Sequence, residues 1–405
     1  MSGERGVVVI GGGQAGFQLV RALRQKGHAG PIRLIAEETH PPYQRPPLSK
    51  DLLAGLLEEE ALCFVPPAFY ADQLIDLIQD RAVEVDRQAR RVTLGSGGNV
   101  DYEHLVLACG ASNRLLPDYG RLKGLHTLRG IRDVRALREG LSEGGEMVIV
   151  GAGFLGLEVA STCAKLGVAV TVLEAMPRAM ARVVSEPVGH YFRQRLVAQG
   201  VSFRFGISRL AVEASGGAVT GVSVDGELMP ANLVLGAIGV VPNTDLAVAS
   251  GLETANGIVV DETLRTSDPS ISAIGDSASH PSIFAGGRAR LESVQNAVDQ
   301  ANCVAARLTG EPAPYRRLPW FWSEQSGIRL QIAGVAMARD DALAGGPLQE
   351  QAGFSVLRLR GDRVVAVESV DRPRDHMLAR RLLASGPVLR DDFVDAFSAG
   401  MPALA

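Results

Sequence analysis

Cysteine is scarce in this chain: Cys63, Cys109, Cys163 and Cys303 are the only four among 405 residues. They are widely spaced, with no C-x-x-C and no metal-ligand pairing, which argues against a disulfide framework or a zinc site, so no metal is expected. Charge is sparse as well. Charged residues make up 21% of the chain and the formal net charge is −4, leaving no basic field for nucleic acid and no polybasic membrane patch. No apolar run approaches the ~18 residues of a membrane span. The N-terminus enters a strand by Gly6 with no charged leader and cleavage site before it, so the expected location is the cytoplasm. What remains is an ordinary globular composition, long enough for two or three domains with cores of their own.

Against these absences stands one repeated motif. The sequence G-x-G-x-x-G occurs at Gly11-Gly12-Gly13-Gln14-Ala15-Gly16 and again, 140 residues later, at Gly151-Ala152-Gly153-Phe154-Leu155-Gly156. Each copy follows an apolar, β-branched run (Val7-Val8-Val9-Ile10; Met147-Val148-Ile149-Val150) and precedes a helix-period segment. In that context the first glycine permits the sharp turn, the second lets backbone approach a pyrophosphate, and the third packs helix on strand. The phosphates then meet the positive end of a helix. Each second strand ends on an acid, Glu37 and Glu174, roughly 20 residues beyond the glycines, where a ribose-binding carboxylate belongs. Two fingerprints imply two dinucleotides.

The remaining pattern is α/β in the first two thirds. Leu105 to Ala111 and Leu233 to Gly239 read as equivalent closing strands, which predicts an internal duplication of the nucleotide fold. Ser272 to Asp276 closes another strand, and a helix-compatible stretch runs from Glu292 to Leu308. From about Pro312 the pattern alternates, as in Phe354 to Leu359 and Val364 to Val367, before a helix-like segment near His376 to Leu383. This tail reads as a separate α+β domain.

The pieces Arg45-Pro46-Pro47-Leu48-Ser49-Lys50, the two fingerprints, Ala273-Ile274-Gly275-Asp276, Glu292-Ser293-Val294-Gln295-Asn296-Ala297 and Pro319-Trp320-Phe321-Trp322-Ser323-Glu324-Gln325 together resemble the FAD-dependent NADH:ferredoxin reductases. The nearest group is the putidaredoxin reductase-like reductases of bacterial cytochrome P-450 systems. The resemblance implies an α/β chain with two Rossmann-type nucleotide-binding domains, the pyridine-nucleotide-disulfide-oxidoreductase fold, plus a C-terminal α+β domain. It divides the chain into a first FAD part (1–111), an NAD-binding domain (112–236), a second FAD part (237–314) and a C-terminal domain (315–405).

Carried over residue by residue, the resemblance places FAD at Gly11, Gly13, Ala15, Gly16, Glu37, Arg45, Lys50, Val83, Arg129, Asp276 and Val294. It places NAD at Gly151, Gly153, Gly156, Glu158, Glu174 and Gly239. Lys50 and Glu158 are the expected catalytic residues: a cation near the flavin favours its anionic reduced ring, and Glu158 sits on the helix facing the nicotinamide region. Asp276 also makes sense on its own chemistry, since a carboxylate at a strand end accepts bonds from sugar hydroxyls. Glu174 favours NADH over NADPH, because a carboxylate accepts from a free 2′-OH and repels a 2′-phosphate; Arg178 and Arg182, close by in sequence, are the opposing features.

Disulfide reductases on this fold need a redox cysteine pair, and their peroxide-reducing relatives a single cysteine near His40 to Lys50. Neither is present. Electrons are therefore expected to leave the flavin directly for an external acceptor, with Cys63 and Cys109 as packing residues. The resemblance makes that acceptor a [2Fe–2S] ferredoxin, acidic in character, and through it a cytochrome P-450. Both tryptophans lie at alternating positions, Trp320 and Trp322, on one side of a predicted strand. From Gly286 to Arg339 there are seven arginines against four acids, which suits an acidic partner, and Arg290, Trp320 and Trp322 are the expected docking residues. The aliphatic Val294 resembles the P-450 group, where reductases of aromatic-ring dioxygenases usually carry tryptophan. The alternatives are a dioxygenase or rubredoxin system, or a flavoprotein like apoptosis-inducing factor with weak NADH oxidation. A monomer or weak dimer is expected.

Overall fold

A computed structural model describes residues 5–345 and 353–399. The chain falls into two compact units, Met1–Gln44 with Leu62–Ser112 and Val241–Pro319, and Arg45–Ala61 with Asn113–Val240 and Trp320–Ala405.

The first unit is built on a parallel sheet in the order Ile75–Gln79, Ile32–Ala36, Gly6–Ile10, Asn99–Leu107, with Ile271–Ala273 added beside the last. Gly6–Ile10 is a five-residue run in which the apolar residues Val7 to Ile10 are all nearly inaccessible, as a central parallel strand covered on both faces requires. The helices Gln14–Gln25 and Val294–Leu308 pack on it. The latter begins two residues later than the sequence pattern indicates, because Ser293 is extended and its side chain accepts the Asn296 N–H, making it the helix cap. The long strand Asn99–Leu107 also pairs antiparallel with Arg91–Leu94, which pairs with Ala82–Asp86.

The second unit repeats this plan. Its parallel sheet runs Ser202–Phe205, Ala169–Glu174, Glu146–Val150, Leu233–Gly236, Leu125–His126, so each fingerprint strand lies between its acid-ending strand and its closing strand. An antiparallel meander, Leu210–Ser215, Ala218–Val224 and Glu227–Pro230, accompanies it. The tail forms an antiparallel sheet in the order Trp320–Gln325, Ile328–Gly334, Arg363–Val370, Phe354–Arg360, Asp341–Gly345, carrying the helices Pro373–Leu382 and Arg390–Ala399.

Two sets of contacts explain why this unit gathers segments that are remote in sequence. Arg45–Ala61 is bound to the nucleotide domain by Arg45 Nη1 on the Arg129 carbonyl at 2.5 Å and by an Arg135–Glu59 ion pair. The strand Trp320–Gln325 alternates strictly: Phe321, Ser323 and Gln325 face the second nucleotide domain, touching Phe154, Glu158 and Met180 in turn. Trp320 and Trp322 occupy the other face. Among the described residues no helix is long and apolar enough to cross a membrane.

Candidate functional site

The three glycines of each fingerprint have three distinct surroundings, and the two copies agree. Gly11 and Gly151 have φ of +118° and +110°, and a Cβ there would lie 2.2 Å from the Ala108 carbonyl oxygen and 2.4 Å from that of Ala237. Gly16 and Gly156 bring their Cα close to the first glycine: a Cβ would meet the Gly11 oxygen at 1.9 Å and the Gly151 oxygen at 2.1 Å. At Gly13 and Gly153, by contrast, a Cβ would meet nothing within 4 Å. Their space is open. Each is the N-cap of the following helix, with no side-chain cap and no acid in the first turn. Uncapped N–H groups beside an open approach make a cradle for a phosphate-bearing ligand.

In the first unit the Asp276 turn closes against the same helix. Gly275, at φ +74°, would place a Cβ 3.0 Å from that of Ala15, and its N–H is donated to Gln300 Oε1 at 2.7 Å. Gln300, fully buried and bonded to His280 as well, is a positioning residue that a motif search passes over. Glu37 is exposed at its strand end, 3.9 Å from Arg81, and Val83 is also exposed; Val294 opens the helix capped by Ser293.

Arg290 differs from its expected part. Its side chain is 10% exposed, donates to the Asp276 carbonyl at 3.0 Å and to Asn256, and pairs with Glu292 at 2.6 Å. A cation so engaged braces the Asp276 turn instead of projecting toward a partner. The local arginine excess is spent inward at other positions too: Arg307 is buried on Ser272, and Arg288 donates to the carbonyls of Val260 and Ser279.

In the second unit Lys50 and Glu158, 108 residues apart in sequence, form an ion pair at 2.7 Å, with Glu158 12% exposed. Ser49 and Ser323 also donate to this carboxylate, at 2.6 and 2.7 Å, and Thr162 donates to the Ser49 carbonyl. Glu158 thus joins three stretches of chain, and its two hydroxyl partners stand in motifs already noted, though the sequence assigned neither of them a role. Arg45 lies on the Arg129 carbonyl, while Arg129 and Gly130 give their N–H groups to Asp133. Glu174 is oriented by the N–H groups of Ala152 and Met176, both at 2.8 Å. Gly239 is an exposed glycine at φ +98°.

The Arg178 guanidinium is committed to the carbonyls of Ala179, Ala181, Val184 and Ser185, which removes it as a phosphate ligand beside Glu174. Trp320 and Trp322 stand 5.4 Å apart between ring centroids, both half-buried, with Arg380 over Trp320 at 4.6 Å and His376 at its edge. Arg380 is a contributor that sequence inspection missed.

All four cysteines are free thiols. Burial raises Cys109 and Cys163 to about 12 and pushes Cys303 upward, so these three stay protonated and poorly nucleophilic. Among the described residues no group of His, Cys, Asp and Glu is arranged to hold a metal ion.

The model of the pyridine nucleotide-disulphide oxidoreductases matches residues 5–301, and that of the reductase C-terminal domain matches 320–398. The chain belongs to the pyridine nucleotide-disulphide oxidoreductase family. It is an oxidoreductase of the FAD-binding, pyridine-nucleotide-dependent kind, and the open approaches at Gly13 and Gly153 leave room for a phosphate-bearing group. It is 45% identical to the rhodocoxin reductase of Rhodococcus erythropolis, over 94% of this chain and 89% of that one. The ferredoxin reductase of the CYP199A2 system from Rhodopseudomonas palustris superposes with a TM-score of 0.93 at 42% identity, covering 98% of this chain and 100% of that one. The covalent putidaredoxin reductase–putidaredoxin complex gives 0.93 at 36% identity, covering 98% and 99%.

Proposed function

We propose that this protein is a ferredoxin reductase of the putidaredoxin reductase type, carrying electrons from NADH through FAD to a [2Fe–2S] ferredoxin that serves a cytochrome P-450 monooxygenase in the cytoplasm. The observation that carries the reading is the strand Trp320–Gln325. One face binds Glu158 of the second fingerprint helix, and the other presents two tryptophans, with Arg380 over the ring of Trp320. Aromatic anchors beside a cation suit an acidic protein partner. The similarity to reductases of ferredoxin systems, over nearly the whole chain, supports the same partner class.

In this reading Gly11, Gly13, Ala15, Gly16, Glu37, Arg45, Lys50, Val83, Arg129, Asp276 and Val294 hold FAD. Gly151, Gly153, Gly156, Glu158, Glu174 and Gly239 hold the nicotinamide nucleotide. Bound flavin supplies the ability to exchange both hydride and single electrons. The chain does the rest. Glu158 holds the Lys50 ammonium in place, Glu174 selects a free ribose hydroxyl, and the protonated thiols offer no competing relay. Arg290 enters by supporting Asp276.

Trp320→Ala, Trp322→Ala and Arg380→Glu should each slow ferredoxin reduction at least tenfold while ferricyanide reduction stays within about twofold, because the small oxidant needs only access to the flavin. Added salt should weaken the ferredoxin reaction selectively, since exposed charge attraction decays over a Debye length of ~10 Å at 0.1 M. Equal losses with both acceptors would remove the docking assignment. Turnover with rubredoxin but not with a [2Fe–2S] ferredoxin would replace the partner.

A further inference from the structure

The segment that follows Glu174 is held in place from outside its own domain. Arg178 draws residues 179–185 around its guanidinium through four carbonyls, at 2.8 to 3.4 Å. Gly189 permits this, because a Cβ there would lie 2.7 Å from the Ala179 oxygen and 3.0 Å from Arg178 Nη1. Met180, in the left-handed region at φ 51°, donates its N–H to the Ala152 carbonyl at 2.9 Å. The Ala152 N–H in turn binds Glu174. The second fingerprint, the ribose acid and this segment are therefore one connected unit.

The tail reaches it at two points. Gln325 Nε2 lies 4.0 Å from the Met180 sulfur. Glu368, with 0% exposure, takes the Ser185 N–H on both carboxylate oxygens at 3.0 Å and the Ser185 hydroxyl at 2.5 Å. Ser185 is the N-cap of helix Glu186–Val197 but makes no side-chain cap bond to it. An N-cap serine ordinarily accepts from its own helix; here it donates to the tail, whose carboxylate lies at the helix's positive end. Arg358, 2.7 Å from Glu368 and donating to the carbonyls of Met337 and Asp340, balances the buried charge.

We propose that the buried Arg358–Glu368 pair of the tail is a positioning device for the nicotinamide-nucleotide site, so that nucleotide affinity is set in part by a carboxylate more than 180 residues away in sequence. The proposal rests on the reading of Glu174 as the ribose acid. Without the Glu368 charge, Arg358 is left uncompensated in the interior and the Ser185 anchor weakens. The left-handed Met180 is then no longer over-determined by its surroundings, and the link from Ser185 through Ala152 to Glu174 loosens. Coupling of this kind is reciprocal, so bound nucleotide must also steady the tail strand Arg363–Val370.

The test compares Glu368→Gln, Ser185→Ala, Glu174→Ala and Asp375→Asn in the FAD-loaded protein, by NADH:ferricyanide kinetics and NAD+ titration. Asp375 is a buried tail carboxylate held by Ser355 and Arg372, so its variant controls for general loosening of the tail. Glu368→Gln should raise the KM for NADH and the Kd for NAD+ roughly fivefold or more, with kcat at saturating NADH within about twofold of the parent. Ser185→Ala should shift both constants in the same direction by less, and Asp375→Asn should leave them unchanged. In the unaltered holoenzyme, NAD+ should slow amide hydrogen exchange in Arg363–Val370, a measurement that holds even where Glu368→Gln does not fold. Unchanged constants in folded Glu368→Gln or Ser185→Ala, or absent protection, overturn the proposal, as does an equal shift in Asp375→Asn. A Glu174→Ala variant with parental KM would instead remove the reading beneath it.

Discussion

Replacing the second and third glycines of the second fingerprint by alanine should separate nucleotide binding from folding. At Gly153 the added methyl meets nothing within 4 Å, and the backbone at φ −80°, ψ −175° is one that alanine adopts freely. Restricting the unfolded chain stabilises by about 0.4–1 kcal/mol, while alanine is a poorer N-cap than glycine by a comparable amount. The two nearly cancel, so Gly153→Ala should melt within a degree or two of the parent. Its methyl nevertheless occupies the approach that a pyrophosphate needs, so the KM for NADH should rise at least tenfold, about 1.4 kcal/mol of lost binding. At Gly156 the methyl would lie 2.1 Å from the Gly151 carbonyl oxygen. Helix and strand must move apart there, at a cost of about 1–3 kcal/mol or more, and the melting temperature should fall by several degrees. Thermal melts and NADH:ferricyanide kinetics on both variants decide the matter. A Gly153→Ala protein that unfolds, or that binds NADH as the parent does, would refute the reasoning.

Glu174→Ala should narrow the preference for NADH over NADPH from at least tenfold, because a charged hydrogen bond of about 1.5–3 kcal/mol is lost; equal use of both nucleotides by the parent would overturn this. Replacing all four cysteines by serine or alanine should leave NADH:ferricyanide activity largely intact in a folded, FAD-loaded variant, and loss of activity there would implicate a thiol. Acid should destabilise the fold between pH 6.5 and 4. His104, His280 and His376 are lowered by burial, and further by nearby arginines, to about 3, 4 and 4. They stay neutral when folded while the unfolded chain protonates below 6.5, so stability falls as pH drops through that window, by about 1.4 kcal/mol per unit for each group. Melting temperatures across pH 4–7 check it, and His376→Phe should flatten part of the slope.

The nucleotide-binding half of this protein was written into local sequence. A glycine that must adopt positive φ or touch a carbonyl cannot be replaced without penalty, so Gly11, Gly16, Gly151 and Gly156 announce their turns. The acids Glu37 and Glu174 follow at the length of one βαβ unit, and the alternation of Trp320 and Trp322 is a property of any strand. Tertiary structure alone decided what a residue does with its charge. Arg178 and Arg290 look alike in sequence to surface cations, yet one is consumed by four carbonyls and the other braces the Asp276 turn. Ser49 and Ser323 stand inside the quoted motifs but without a role of their own, and Gln300 and Arg380 lie outside them, since a hydroxyl or amide gains its role only from the partner that folding brings within about 3 Å. The same holds for Glu368, an unremarkable acid in a strand until the fold buries it against Ser185 and Arg358. Periodicity and backbone conformation are encoded over a few residues; hydrogen-bond partnership across more than a hundred residues is settled only when the sheets are assembled.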